Sequence, residues 1–225
     1  TEVRQTEHQA GITFEGALGS ANQPLLIGTG NIEVKTIAEG GAPSNTPAIE
    51  GVSLTDPRLE PFWELAEELD IPVAIHMGPG DPAGSYDGSG YRARLGNPLL
   101  LEDVLVRHPR LRPYIMHAGY PMIDELRALM FTHPQVYVDV GIIVYVEPRP
   151  AFYAFLKELV DAGFGDRIMF GSDQMIWPGV IEPAIRSIEE APFLSEKQKR
   201  DIFYNNAARF LRLDMTTIDR HHGRN

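Results

Sequence analysis

Three short apolar runs in this 225-residue chain each end in a side chain that can hold a metal ion or move a proton. They are Ile71-Pro-Val-Ala-Ile-His76, Pro113-Tyr-Ile-Met-His117 and Ile168-Met-Phe-Gly-Ser-Asp173. A neutral imidazole is a ligand for zinc and similar cations, and it titrates close enough to neutrality to act as an acid or base. His76 is therefore read either as a ligand or as a hydrogen-bonded core histidine. His117, followed by the small Ala118 and Gly119, is read as a ligand or a general acid/base. Asp173 follows a buried Met-Phe-Gly, where an unpaired charge would be costly, so it is expected to face a metal, a histidine or an arginine. Its structural alternative is a helix N-cap.

The elements that position these groups follow from periodicity. The three runs, with a fourth at 136–140, have the length and apolar character of buried strands. A helical pattern ending near Leu69, its start open between Pro57 and Pro61, precedes the first run, and others lie between and after the runs at 97–107, 122–131, 148–162, 180–190 and 195–211. Asn97-Pro98 and Ser195-Glu-Lys-Gln198 are helix starts, the second a capping box. Strands alternating with helices predict an α/β fold with a parallel sheet, here a TIM-type (β/α) barrel. A barrel of about 250 residues uses roughly 31 per unit. His76 and His117 are 41 positions apart, one unit plus the glycine-rich loop 78–96, and His117 and Asp173 are 56 apart, close to two units. All three groups then fall at the carboxyl ends of strands, where barrel enzymes place their chemistry.

Upstream, 32–38 alternates like a further strand and is counted with the barrel units. Residues 1–31 read as an irregular segment with strand-like runs at 12–14 and 25–27, and 213–225 as a tail that contains a disordered His221-His222. The expectation is one domain over 1–225, its barrel incomplete at the N-terminal side because fewer than eight strands are found.

Other candidates are weaker. Arg92 and Arg94, in the glycine-rich loop, are solvated or clamp a substrate carboxylate. Tyr145 and Trp177, just past strand ends, pack or wall a pocket. His108 and His133 precede prolines and read as helix-end residues. Asp139 either makes a structural hydrogen bond or orients a neighbouring ligand. His8 reads as a terminal residue.

A net charge of −11 argues against a nucleic-acid or anionic-membrane binder. No apolar run has the length of a membrane-spanning helix. Without cysteine, disulfides, thiolate metal sites and cysteine nucleophiles are excluded. A cytoplasmic location is favoured over export.

Taken together, Ile75-His76, Met116-His-Ala-Gly119, Phe170-Gly-Ser-Asp173 with Trp177-Pro178, and the closing Tyr204-Asn-Asn-Ala-Ala-Arg-Phe-Leu211 resemble the amidohydrolase superfamily, in its amidohydrolase-2 branch. The resemblance spans about residues 50–212. It implies a divalent metal, zinc first and manganese or iron as alternatives, held by His76, His117 and Asp173. Asp173 and His117 would be catalytic; Arg94 and Trp177, from their positions near strand ends, are the expected substrate contacts. The implied activity is hydrolysis of a small amide, ester or lactone, or non-oxidative decarboxylation on the same scaffold. The family also carries a His-x-His pair on its first strand, and no His-x-His occurs in this chain. That departure leaves a third expectation, a non-catalytic scaffold. Exposed strand edges in an incomplete barrel would favour a homodimer.

Overall fold

The computed structural model describes residues 53–79, 86, 92–174 and 178–224, together with the backbone of four short strands upstream. Those strands are β1 (Glu2–Val3), β2 (Ile12–Thr13), β3 (Leu26–Thr29) and β4 (Glu33–Thr36), forming a sheet in the order β1-β2-β4-β3. This corrects the counting of 32–38 with the barrel units. β4 pairs antiparallel with β3, Thr29 opposite Glu33. The three residues between them allow a hairpin, whereas a parallel crossover needs a dozen or more.

The second sheet is the one the spacing predicts. β5 (Pro72–His76), β6 (Arg112–Met116), β7 (Tyr137–Asp139) and β8 (Ile168–Met169) lie side by side in chain order, every pair parallel. Helices connect them: α1 (Glu60–Glu68) precedes β5, α2 (Glu102–Arg107) precedes β6 and α3 (Ile123–Thr132) precedes β7. Between β7 and β8 come a one-turn α4 (Ile143–Val146) and α5 (Arg149–Asp161), and α6 (Ile181–Glu189) follows β8. These are consecutive units of a TIM-type barrel, four of the eight that a closed barrel contains.

Alternation along the strands separates two faces. Val73, Ile75, Ile115, Val138 and Ile168 point outward into one large core with Phe62, Trp63, Leu105, Leu126, Leu129, Phe152 and Leu156 from the helices. Complete burial of each such side chain is worth roughly 1.5–3 kcal/mol. Trp63 also satisfies its indole N–H on Leu54 O at 3.0 Å. Ala74, Tyr114, Met116 and Met169 point to the other face, where Phe210 packs on them. The inner positions at the carboxyl ends of β5 and β7 are therefore His76 and Asp139.

The far end of the sheet carries the helix-end histidines. His108 and His133 are the C-caps of α2 and α3, as read from sequence, and both are buried. His108 presents Nε2 to Glu60 at 3.2 Å and Nδ1 to Glu67 at 3.5 Å. Arg112, at the start of β6, binds Asp70 at 2.8 Å and Phe210 O at 2.5 Å, clasping the closing segment to the sheet.

That closing segment is the predicted 195–211 helix, interrupted. Ser195 and Gln198 form the expected capping box on α7 (Glu196–Arg200). A π-helical turn over Asp201–Asn205 then leads into α8 (Asn206–Phe210). Ile202 O accepts from Phe170 N–H at 2.8 Å, so a helix carbonyl closes the backbone just past β8. The 213–225 tail is corrected in part: Asp214 caps α9 (Met215–His221), and Tyr204 Oη meets His221 Nδ1 at 2.8 Å.

Asn206 is fully buried, and its amide donates to Gly165 O at 2.9 Å and Ile168 O at 2.7 Å. Asn206→Ala removes a donor from both carbonyls, and the one on Ile168 is buried. We expect a loss of about 2 kcal/mol in denaturant unfolding, and an unchanged midpoint would refute this clasp.

Candidate active site

β5 ends at His76 and β6 at Met116, which are register partners, so His76 and His117 emerge side by side at one end of the sheet. Their rings meet edge to face with centroids 4.7 Å apart. β7 brings Asp139 to the same level as Met169 of β8, and Asp173 lies four residues beyond. The carboxylate Oδ2 of Asp173 sits 3.9 Å from His117 Nε2. The three groups singled out by sequence are thus brought together.

The backbone here is unusual. His117, Ala118, Ile142 and Asp173 all have φ near +50°, the left-handed region. Such conformations cost roughly 1–2 kcal/mol per residue and gather at functional sites. Asp tolerates this region better than most residues, whereas β-branched Ile142 does so poorly. Asp173 caps no helix among the described residues. The N-cap of α6 is Val180, and Gln174 N–H bonds to Ser172 Oγ. Its N-cap alternative is therefore set aside.

The protonation states follow from partners. His117 Nδ1 lies 3.0 Å from Gly141 O. A carbonyl only accepts, so Nδ1 carries a proton, and Nε2 is the nitrogen that faces Asp173. His76 Nδ1 is buried with no hydrogen-bond partner. Burial, then the neighbouring His117, push the His76 pKa down to about 4, so it is neutral near pH 7. Burial pushes Asp173 above the ordinary carboxylate range; His117 pulls it back and Asp139 adds to the rise. Burial likewise raises Asp139, against the pull of His117 and of two backbone N–H donors.

Two imidazoles and a carboxylate are a suitable donor set for zinc or a similar cation. The orphaned His76 Nδ1 and His117 Nε2 are the nitrogens such an ion would use. Among the described residues no three His, Asp or Glu side chains already converge to holding distance. The donors fit in kind, and binding would have to draw them together.

Tyr145 stands partly buried in α4, its phenol pushed up by burial and by the charge of Asp173. Arg94 is exposed on the 3-10 turn Ala93–Gly96. That turn is anchored near the end of β5 by Gly78 N–H on Gly96 O at 2.7 Å. A Cβ on Gly96 would fall 2.0 Å from Gly78 O, so only glycine fits this crossing. Trp177 and His8 lie outside the described residues. Sequence reasoning missed Gly141. The signal was the Asp139-Val-Gly141 step after β7, a small residue where other groups approach closely.

Residues 45–213 match the family described as Amidohydrolase. A curated relative, Protein fluG of Emericella nidulans, is 24% identical over 162 residues, which are 70% of this chain and 18% of that protein. An uncharacterised TIM-barrel protein from Bordetella bronchiseptica is similar in structure at a TM-score of 0.58 and 23% identity, covering 72% of this chain and 52% of that one. A 5-carboxyvanillate decarboxylase from Sphingomonas paucimobilis gives 0.52 and 19%, covering 72% and 56%. The chain thus spans about half the length of these solved barrels and less than a fifth of the curated relative. No helix among the described residues is long and apolar enough to cross a membrane.

Proposed function

This chain belongs to the amidohydrolase family, and from that premise we propose that it is a metal-dependent hydrolase acting on an amide, ester or lactone of a small molecule. The observation that supports the reading best is the group of His76, with its unpartnered buried Nδ1, beside His117 Nε2 facing Asp173. His76, His117 and Asp173 would hold the ion, and three protein ligands suffice for a catalytic zinc. When bound, the cation supplies positive charge that stabilises negative charge developing on the substrate.

The chain's own residues do the rest. Asp173 is raised by burial and faces an imidazole, so it is suited to take a proton from the attacking water and return it to the leaving group. His117, fixed with Nδ1 protonated, keeps Nε2 toward the reacting atoms. Tyr145 offers a phenol that stays protonated and can donate a hydrogen bond. Arg94 and Trp177 are the proposed substrate contacts, Arg94 for an anionic group.

Non-oxidative decarboxylation is the second reading, favoured by the structural likeness to a decarboxylase. There Asp173 would deliver its proton to carbon instead of to a leaving group.

The test is metal content of the full chain purified without chelator or histidine tag, beside His76→Ala and Asp173→Ala. Turnover is then followed on a panel of lactones, esters, amides and hydroxybenzoates. Zinc or manganese near one equivalent that both substitutions abolish, with hydrolysis of a panel member, is expected. Carbon dioxide release from a hydroxybenzoate instead selects the second reading. A chain that takes up no metal and turns over nothing overturns both.

A further inference from the structure

We propose that Asp139 is a positioning residue that sets the orientation and tautomer of His117 through the backbone. This rests on reading His117 and Asp173 as the working pair. The carboxylate of Asp139 is buried at the inner end of β7 and does not reach the His117 ring by a hydrogen bond of its own. Instead, its Oδ1 accepts the backbone N–H of His117 at 3.0 Å and that of Gly141 at 2.8 Å. The same Gly141 supplies the carbonyl that takes the His117 Nδ1 proton at 3.0 Å. One oxygen thus ties the residue that carries the imidazole to the residue that fixes its tautomer.

Two features make such a tie necessary. His117 and Ala118 are consecutive left-handed residues, and Ile142 next to Gly141 is left-handed as well. Without an anchor, both turns would relax toward cheaper conformations. The fit is also close. A Cβ on Gly141 would lie 3.0 Å from Asp139 Oδ1, 3.2 Å from Asp173 Cβ and 3.4 Å from His117 Nδ1. On the other side lies Gly171, whose added Cβ would stand 3.4 Å from Asp139 Cγ, an ordinary contact distance. The Asp139 side chain thus lies between Gly141 and Gly171, beside the N–H pair it accepts. Loss of its oxygen frees the His117 turn, and Nε2 is then no longer held toward Asp173.

The experiment is ¹⁵N NMR of the histidine rings in the metal-free full chain, comparing wild type with Asp139→Asn and Asp139→Ala. Wild type is expected to show His117 as the Nδ1–H tautomer. Asp139→Asn keeps an oxygen for both N–H donors and is expected to preserve that signature. Asp139→Ala is expected to give a tautomer mixture, and at least a tenfold fall in kcat on any substrate the wild type turns over, with KM little changed. Folded Asp139→Ala retaining the wild-type tautomer overturns the proposal. Should that variant fail to fold, amide exchange in the wild type decides. Protection of the His117 and Gly141 N–H comparable to β6 supports the tie, and exchange at the rate of exposed amides overturns it. None of these ring and amide readouts needs turnover, so failure of the hydrolase reading remains distinguishable.

Discussion

Asp173→Asn is expected to lower kcat by roughly a thousandfold, the middle of the range that a positioned proton-transfer group contributes, while leaving the thermal unfolding transition in place. The substitution is conservative in shape and backbone. Asparagine keeps the shape of the carboxylate and occupies the left-handed region as readily as aspartate does, so the φ of 49° at this position adds no new strain. It also removes a charge that burial and Asp139 already disfavour. What disappears is the ability to accept a proton opposite His117 Nε2 across 3.9 Å, together with the anionic ligand for the proposed ion, so metal content is measured beside kcat to separate the two. The measurement is kcat and KM on the best substrate of the panel, with a circular dichroism melt alongside. Activity within tenfold of wild type would remove Asp173 from the reaction. Activity lost together with the fold would make it a structural residue.

The same site shows what a single sequence can disclose. His76, His117 and Asp173 were legible because each ends an apolar run, and a parallel sheet must deliver such ends to one side. Asp139 stood undecided for a physical reason. Its partners are His117, distant in sequence, and a glycine two residues on, and nothing in the composition of a strand records a bond to the backbone of another strand end. β4 was misassigned because alternation gives a strand but not its neighbour; the short link to β3 was the overlooked constraint. The closing helix was predicted as unbroken because its apolar periodicity runs through the π-helical turn, and the carbonyl that meets Phe170 is a tertiary requirement invisible to period counting. Asn206 stands in sequence only as part of the closing motif, and its role is set by two carbonyls beside β8 that are far from it in the chain.

The second large effect lies in the pH dependence of stability, and its sign follows from His76. In the unfolded chain this histidine takes up a proton near its ordinary value of 6.5, whereas in the folded chain burial and His117 hold it to about 4. Between those two values the unfolded state binds more protons, so stability rises with pH through the window and falls as the solution is acidified. The group costs about 2 kcal/mol by pH 5 relative to pH 7 and about 3 kcal/mol by pH 4. Asp139 and Asp173, both raised, work in the opposite direction, since a carboxyl that binds its proton more readily when folded favours the folded state in acid. The two signs are separated by comparing wild type with His76→Gln in metal-free protein, using denaturant unfolding from pH 7.5 downward. The wild-type curve is expected to lose about 2 kcal/mol more than the variant between pH 7 and 5. Parallel curves would mean that the His76 ring is reached by water and is no longer held neutral. A cation on His76 would steepen the wild-type dependence further, because protons and metal compete for the same nitrogen. Repeating the comparison with added zinc then tests whether this imidazole is a ligand, in a readout that needs no substrate.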